Sequence, residues 1–224
     1  MIVSPSEMRR ARQDLQIGHK KFEGVMKFCY LGNMIDNELK MRVTVMDRIQ
    51  AGNRAYYANL KLLKSKLLLR KDKLQIYLTL IRPVVTYGAE TWTLTKEDQN
   101  TLRKFERKIM RKIYGPMMEN GEWRIRYNEE INQIIKGRDI VKFIKSLRLQ
   151  WLGHLERMGE NRIPLKVHKA KIYSVRRKGR PRTRWMDDVM EDIRIMKIRG
   201  WREKINDRGG WSRIVKEAKA HIGL

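Results

Sequence analysis

The chain has 224 residues, and its 51 Lys or Arg against 25 Asp or Glu give a formal net charge of +26. Such an excess opposes compaction through self-repulsion and suits a polyanionic partner, so nucleic acid is the first candidate and an anionic membrane surface the second. The single cysteine, Cys29, excludes an internal disulfide and a cysteine-based zinc site.

The sequence contains no signal for export or for crossing a membrane. No apolar run approaches the roughly 20 residues of a spanning helix, and the N-terminus lacks the apolar core of a signal peptide. We therefore expect an intracellular protein of the nucleus or cytoplasm, without a membrane partner.

The N-terminal part is patterned for short strands. Small apolar groups alternate with glycines between Leu15 and Ile35, and apolar pieces bounded by glycine turns are typical of strands. We predict two or three short antiparallel strands there, as the only sheet of the protein.

After these strands, the spacing of the apolar residues becomes that of helices. Residues at steps of three and four predict one face of a long amphipathic helix that starts near Glu38. These residues are Val45, Ile49, Gly52, Tyr56, Leu60 and Leu63. A linker rich in Lys and Leu leads to a second helix that carries Tyr77 and Ile81. Pro83 is predicted to end this helix because proline lacks the amide hydrogen, and Gly88 permits a tight turn.

A basic helix follows that turn. Thr95 and Asp98 match a capping box with Asp in place of the usual Glu. One face of the helix is apolar: Leu102, Phe105, Ile109 and Ile113. The rest of its surface is mostly cationic: Arg103, Lys104, Arg107, Lys108, Arg111 and Lys112.

The C-terminal half continues as helices and one basic stretch. Gly115-Pro116 ends the basic helix, Gly121 lies in the next loop, and Asn128 can cap a short helix. A clean helical period runs from Ile140 to Met158. The stretch from Arg162 to Arg184 holds ten Lys or Arg and no acid.

Two shorter helices complete the prediction. A helical stripe starts at Trp185 and includes Val189 and Ile193. Gly209-Gly210 is predicted to break the chain before a last helix that begins at Trp211.

Several short motifs follow one another along the chain: Lys27-Phe-Cys-Tyr-Leu-Gly32, Leu80-Ile-Arg-Pro83, Tyr87-Gly-Ala-Glu-Thr-Trp92, Phe105-Glu-Arg-Lys108, Arg148-Leu-Gln-Trp-Leu-Gly-His154 with Arg157-Met158, and Gly179-Arg-Pro181 with Trp185-Met-Asp187. In this order they resemble the segments that follow the catalytic palm in reverse transcriptases of non-LTR (LINE-type) retrotransposons, a family of endonuclease-reverse transcriptases. Each motif alone is weak evidence, whereas their common order is specific. The resemblance covers nearly the whole chain and points to the C-terminal thumb and linker part of such an enzyme.

The resemblance implies a mainly α fold: a helical thumb-like bundle with a small N-terminal antiparallel β-hairpin and a basic helical C-terminal extension. It implies palm-end strands over 1–36, thumb-like helices over 37–115, a helical linker with the basic stretch over 116–178, and a helical tail containing Gly-Arg-Pro over 179–224. It also places four residues at the primer grip, the hairpin that holds a primer end near the metal ions: Phe28, Tyr30, Leu31 and Gly32. The alternative for this segment is an ordinary hairpin packed on the long helix.

The sequence departs from the family at the catalytic centre. The polymerase signature Tyr/Phe-x-Asp-Asp is expected before Phe28, and the sequence does not contain it. We therefore expect no metal, no cofactor and no polymerase activity from this chain by itself. Two alternatives stay open: an active RNA-directed DNA polymerase, and a retrotransposon-derived chain without a retained biochemical role.

The predicted helix that begins at Trp185 carries two pairs of acids spaced by four: Asp187, Asp188, Glu191 and Asp192. Such pairs can ligate Mg²⁺. Two-metal nucleotidyl transfer, however, needs carboxylates that converge on a shared scaffold. The favoured interpretation is an acidic first turn that stabilises the positive end of the helix.

We predict binding to RNA or DNA, mostly through phosphate contacts that carry no sequence information. The predicted contacts are Arg103, Lys104, Arg107, Lys108 and Arg111 on the basic helix, and Arg176, Arg177, Lys178, Arg180, Arg182 and Arg184 in the basic stretch. The alternative is a solvated charged surface, which usually mixes both signs of charge. Trp123, beside Arg124 and Arg126, could stack on bases, although core anchoring is the ordinary role of tryptophan. We infer no obligate protein partner.

Overall fold

The computed structural model describes residues 14–37, 40–136, 139–170 and 183–221. Helices form most of this part of the chain, and short antiparallel hairpins precede them, so the predicted mainly α fold is confirmed. The chain divides into two compact units, one ending at Tyr87 and the other beginning at Gly88. Within the described ranges, no helix is both long enough and apolar enough to span a membrane.

The first unit opens with two antiparallel hairpins, β1 (Leu15–Ile17) with β2 (Lys20–Phe22), and β3 (Lys27–Tyr30) with β4 (Asn33–Asp36). The second hairpin turns at Leu31-Gly32, where both residues have positive φ values of 47° and 77°. Two left-handed residues at the turn match the right-handed twist of the paired strands. The predicted position of these strands is confirmed.

The helices of the first unit are α1 (Met41–Ala58), α2 (Leu60–Lys64), α3 (Arg70–Ile76), a π-helical turn (Tyr77–Ile81) and α4 (Arg82–Val85). Val45, Ile49 and Tyr56 on the predicted apolar face are buried. The Thr44 hydroxyl donates to the Met34 carbonyl over 2.6 Å, which joins α1 to the β3–β4 hairpin.

The prediction that Pro83 ends its helix is wrong. The chain passes from α3 through the π-helical turn into α4 and leaves the helix only at Thr86. A π turn bonds each amide to the fifth residue before it. Pro83 falls in the first turn of α4, where its missing N–H is not required. Gly88 supplies the left-handed φ of 71° expected at the corner.

The second unit contains a 3₁₀ turn (Ala89–Thr91), α5 (Lys96–Tyr114), β5 (Met117–Glu119), β6 (Glu122–Arg124), α6 (Asn128–Ile134), α7 (Ile140–Glu156), α8 (Ile163–Lys169), α9 (Trp185–Ile195), α10 (Trp201–Lys204) and α11 (Arg208–Ala218). The predicted capping box of α5 is confirmed, since Asp98 N–H donates to the Thr95 hydroxyl and Thr95 N–H donates to the Asp98 carboxylate. The predicted apolar face of α5 is buried.

Helix α7 lies at the centre of the core of the second unit. Its buried Leu149 and Leu152 pack in one cluster with α9, α10 and α11. Trp151, on the predicted stripe of α7, is only partly buried. The helix therefore packs on more than the single face that its apolar period predicted.

A third antiparallel hairpin, β5–β6, corrects the prediction that the N-terminal strands are the only sheet. Its turn is Asn120-Gly121, with positive φ values of 50° and 85°. Asn-Gly between apolar residues is the strongest short-range signal for a two-residue hairpin turn. The Asn-Gly pair is visible in the sequence, but we predicted a loop there instead of a hairpin.

The glycine pair before the last helix also behaves differently from the prediction. Helix α11 begins at Arg208 and includes Gly209 and Gly210 in its first turn. The Asp207 carboxylate caps this turn by accepting from Gly209 N–H over 3.0 Å. A Cβ at Gly210 would lie 2.5 Å from that carboxylate, so the pair makes room for the cap.

We predict that Gly153→Ala destabilises the second unit. A Cβ at this position of α7 would lie 2.4 Å from the indole ring of Trp211, whose N–H donates to the Leu149 carbonyl over 2.9 Å. Overpacking of this kind costs about 1–3 kcal/mol, against a gain of at most about 1 kcal/mol for Ala over Gly in a helix.

Urea denaturation followed by circular dichroism measures this effect. Gly159→Ala is the control, because a Cβ at Gly159 meets no atom within 4 Å. A Gly153→Ala variant as stable as the control would contradict the close approach of Trp211 to α7.

Candidate nucleic-acid interface

Beyond the first turn of α5, the acidic side chain is buried and cationic side chains occupy the outer surface. From Gln99 to Tyr114 its sole acid is Glu106. This side chain is 3% exposed, and its carboxylate accepts from the Ile140 N–H at the start of α7 over 2.8 Å. The outer surface of α5 beyond its first turn therefore carries cations without an acid of the same helix among them.

The predicted cations of α5 fall into two groups. Arg103 donates to the Asp139 carboxylate over 2.7 Å, and Arg111 donates to the Arg126 carbonyl and to the Asn128 side chain over 3.0 and 2.8 Å. These two arginines join α5 to α7 and to the start of α6. Arg107 is half-buried.

Beyond the first turn of α5, the exposed cations are Lys104, Lys108 and Lys112, called the lysine row below. They are spaced by four residues, so they share one helical face and follow one another at about 6 Å along the axis. Lys112 belongs to the predicted cationic surface, and the structure adds it to the candidate contacts. The row is a linear array of positive charge on a helix fixed at both ends.

Most of the second predicted set lies outside the described residues: Arg176, Arg177, Lys178, Arg180 and Arg182. Arg184 is exposed just before α9, and its backbone N–H donates to the Asp187 carboxylate over 2.8 Å. In the described beginning of the basic stretch, α8 buries Leu165, while Arg162, Lys166 and Lys169 are exposed.

The primer-grip-like residues share the β3–β4 hairpin of the first unit. Phe28, Tyr30 and Leu31 are exposed by 49%, 57% and 71%. A Cβ at Gly32 would lie 3.6 Å from the Arg48 guanidinium, which itself lies over the Tyr87 ring. The hairpin brings these residues together, and their role in holding a primer stays a prediction.

The acids of α9 have structural partners. Arg148 of α7 is 2% exposed and donates to Asp188 over 2.6 Å and to Asp192 over 2.5 Å. Lys145 lies 3.0 Å from the other oxygen of Asp192. The Asp188 carboxylate also accepts from Leu94 N–H over 3.3 Å, before α5.

The remaining acids of this helix act locally. Asp187 caps the first turn of α9, and Glu191 accepts from Arg194 one turn later. The described part of the chain holds no group of three or more His, Cys, Asp or Glu placed to bind a metal ion. These contacts support the structural interpretation of the acids, and they add the buried Arg148 as a partner of Asp188 and Asp192.

Sequence reasoning missed the role of Arg148, although a signal was present. The residue lies one turn from Ile144 and one turn from Leu152, both fully buried, so it occupies an apolar face of α7. A lone Arg on such a face together with an acid pair spaced by four elsewhere indicates a buried ion pair.

Other residues of the family-like motifs also make packing contacts. The Trp185 indole donates to the Glu90 carbonyl over 2.8 Å, and Arg157 donates to the Ile205 carbonyl over 2.7 Å. Together with Gly153, these residues assemble the second unit. These residues of the motifs in α7 and α9 thus make internal contacts within the second unit.

Among the tryptophans, Trp123 stands apart. Trp92, Trp201 and Trp211 are buried, whereas Trp123 on β6 is 67% exposed. The ordinary role of tryptophan in a core therefore does not explain this residue.

A comparison with known proteins supports a transposon origin. A protein of Caenorhabditis elegans, described as uncharacterized and transposon-derived, is 23% identical over 202 residues, which cover 88% of this chain and 72% of that protein. No protein-family model matches the chain, and no solved structure matches it.

We predict that Arg148→Met strongly destabilises the second unit. The substitution keeps the approximate volume of the side chain but leaves Asp188 and the buried Asp192 without their main cation. Removing one partner of a buried ion pair costs about 3–5 kcal/mol. Chemical denaturation of the purified variant measures the loss.

Arg194→Met is the matched control, since Arg194 and its partner Glu191 are exposed by 73% and 52%, and exposed pairs contribute little. Adding Asp188→Asn and Asp192→Asn to Arg148→Met should recover part of the loss, because the unpaired charges are removed. Equal stability of the two single Met variants would contradict the network.

Proposed function

We propose that the chain binds nucleic acid through phosphate contacts, as a thumb-and-linker part of a LINE-type reverse transcriptase without polymerase activity by itself. The observation that carries the proposal is the separation of charge on α5, whose only acid after the first turn is buried while the lysine row is exposed. Like charges four residues apart destabilise an isolated helix. A polyanion that binds along the row relieves this repulsion.

The similarity to a transposon-derived protein supports the proposal from a second direction. Mobile elements encode proteins that act on their own nucleic acid, and the order of motifs resembles the region that follows the reverse transcriptase palm. The net charge of +26 has the sign that such a substrate requires.

Neutralising the lysine row should weaken binding and reduce its salt dependence. Each phosphate contact contributes about −0.7 on single strands and −0.9 on duplex DNA to the slope of log affinity against log salt. In Lys104→Gln/Lys108→Gln/Lys112→Gln the slope should therefore flatten by about 2 to 3. Fluorescence anisotropy with labelled RNA and DNA over a salt series measures both quantities.

A charge-matched control separates local contact from net charge. Lys197, Lys204 and Lys216 are exposed on the same unit but away from α5, and changing them to Gln removes the same three charges. Equal flattening in both variants would contradict a specific role for the row. Absence of binding by the parent chain at about 50 mM salt, where electrostatic binding is strong, would reject the proposed function.

The basic stretch supplies a second arm of the same experiment. Changing Arg176, Arg177, Lys178, Arg180 and Arg182 to Gln should flatten the slope by about 3.5 to 4.5 if all five contact phosphates. Arg184 is left intact because its backbone takes part in the cap of α9. A parent-like slope would restrict the proposed contacts to α5.

We also predict that the purified chain does not extend a primer on an RNA template with Mg²⁺ or Mn²⁺. The sequence lacks the Tyr/Phe-x-Asp-Asp signature, and the Asp pair of α9 is engaged by Arg148 and by the helix cap. The measurement is a gel assay for extended primer. Template-dependent extension that disappears in Asp187→Asn would contradict the prediction and the structural interpretation of α9.

A further inference from the structure

We propose that the β5–β6 hairpin and the segment after it form a stacking platform for unpaired bases of single-stranded RNA or DNA, with Trp123 as its main residue. This inference rests on the proposed nucleic-acid binding and names the substrate class of that function. Four exposed side chains form the platform: Met118, Trp123, Ile125 and Tyr127.

The platform consists of apolar side chains that are exposed at alternate positions of the chain. Met118 and Trp123 are cross-strand partners, so they lie on the same face of the hairpin. Their exposed fractions are 52% and 67%, and those of Ile125 and Tyr127 are 73% and 61%. Along residues 123–127 the apolar side chains are exposed, and the two alternate residues are arginines bonded to the protein.

Those arginines hold the platform in place. Arg124 binds both Glu119 and Glu130, and its guanidinium lies 4.2 Å from the centre of the Tyr127 ring. Arg126 donates to the Gly115 carbonyl at the end of α5 over 3.2 Å. A platform fixed in this way loses little conformational freedom when a base stacks on it.

The ion pair that holds the hairpin persists over a wide pH range. The hydrogen bond from Arg124 lowers the pKa of Glu130 from 4.5 to about 2. Since this pKa is depressed in the folded chain, the contribution is complete above pH 4.5 and is lost only as the pH falls toward about 2. The platform is therefore held throughout the range in which nucleic-acid binding is measured.

The platform adjoins the end of the lysine row. Arg111, the residue before Lys112, donates to the Arg126 carbonyl and to the Asn128 side chain, on either side of Tyr127. In the proposed arrangement, a strand whose phosphates follow the row continues to the exposed rings. Cations that track a backbone beside aromatic rings that accept bases are the arrangement of single-strand binding proteins.

Charge and chemistry favour bases over a protein partner as the occupant. The acids Glu119 and Glu122 are cross-strand partners of each other and lie on the face opposite Trp123, so the hairpin face that carries Met118 and Trp123 is apolar. Paired bases in a duplex are already stacked, so the platform offers them nothing. Unpaired bases expose the faces that a ring can cover.

The test compares Trp123→Ala, Trp123→Phe and the parent on oligo(U), oligo(dT) and a hairpin duplex. Stacking on one aromatic ring accounts for about 5- to 150-fold in affinity. We expect Trp123→Ala to lose this factor on both single strands, with the duplex affinity and the salt slope unchanged, because the phosphate contacts remain. Trp123→Phe should keep most of the affinity but lose the quenching of tryptophan fluorescence by the bound strand.

Tyr57→Ala is the control, because it truncates an exposed aromatic side chain of the first unit and should bind like the parent. Single-strand binding by Trp123→Ala at parental affinity would overturn the inference and leave the proposed function intact. An equal loss of affinity for single strands and for the duplex in Trp123→Ala would contradict base stacking on this residue. A parent dimer that dissociates in Trp123→Ala, measured by sedimentation, would assign the platform to a second copy and also overturn the inference. Absence of any binding by the parent would reject the proposed function itself.

Discussion

The second unit depends on one buried charge, the guanidinium of Arg148. Removing such a group from water costs several kcal/mol, which only close and well-directed partners offset. Asp188 and Asp192 of α9 supply two of these partners, and the Trp92 carbonyl before α5 supplies a third. Two segments far apart in sequence, α9 and the residues before α5, are thus fixed to one side chain of α7. The segment that leads into the cap of α5 is thereby held against α7.

The same logic explains how a chain with so large a charge forms a core. Among the described residues, four acids are buried, Asp36, Asp98, Glu106 and Asp192, against two buried cations, Lys142 and Arg148. The acids cap helices and bind inner cations, although acids are half as numerous as cations in the sequence. Folding therefore leaves the surface more positive than composition alone indicates. A negatively charged partner would therefore meet a surface on which fewer acidic side chains offset the cations.

Local features of the sequence predicted local structure well. The Thr95–Asp98 cap and the apolar stripe of α5 appear as expected, because caps and helical periods depend on neighbours within two turns. The prediction at Pro83 was wrong because a π-helical turn precedes this residue. Pro83 then lies in the first turn of α4, where its missing N–H is not required. The Asn120-Gly121 hairpin was available from the sequence and was overlooked.

The candidate site was only partly predictable, because burial and pairing are tertiary properties. The period of α5 placed its cations outside, but it did not show that Arg103 would bind Asp139 or that Arg111 would bind Asn128. These partners lie beyond the helix, and no local rule selects them. The exposure of Trp123 has the same origin, since it depends on Arg124 and Arg126 turning inward toward Glu130 and Gly115.

The two proposed surfaces differ from the recognisable motifs in a way that bears on function. Gly153, Arg157 and Trp185 belong to motifs that resemble a reverse transcriptase, and each makes an internal contact. Most of the lysine row and the whole platform lie outside those motifs. The motif residues named here thus contribute to assembling the fold, while the proposed nucleic-acid surfaces consist mostly of other residues. In the proposed function the row binds nucleic acid of any sequence, since phosphate contacts do not discriminate. Discrimination in favour of unpaired strands requires the stacking surface beside it, so the proposed selectivity depends on Arg111 and Arg126, which join the hairpin to α5.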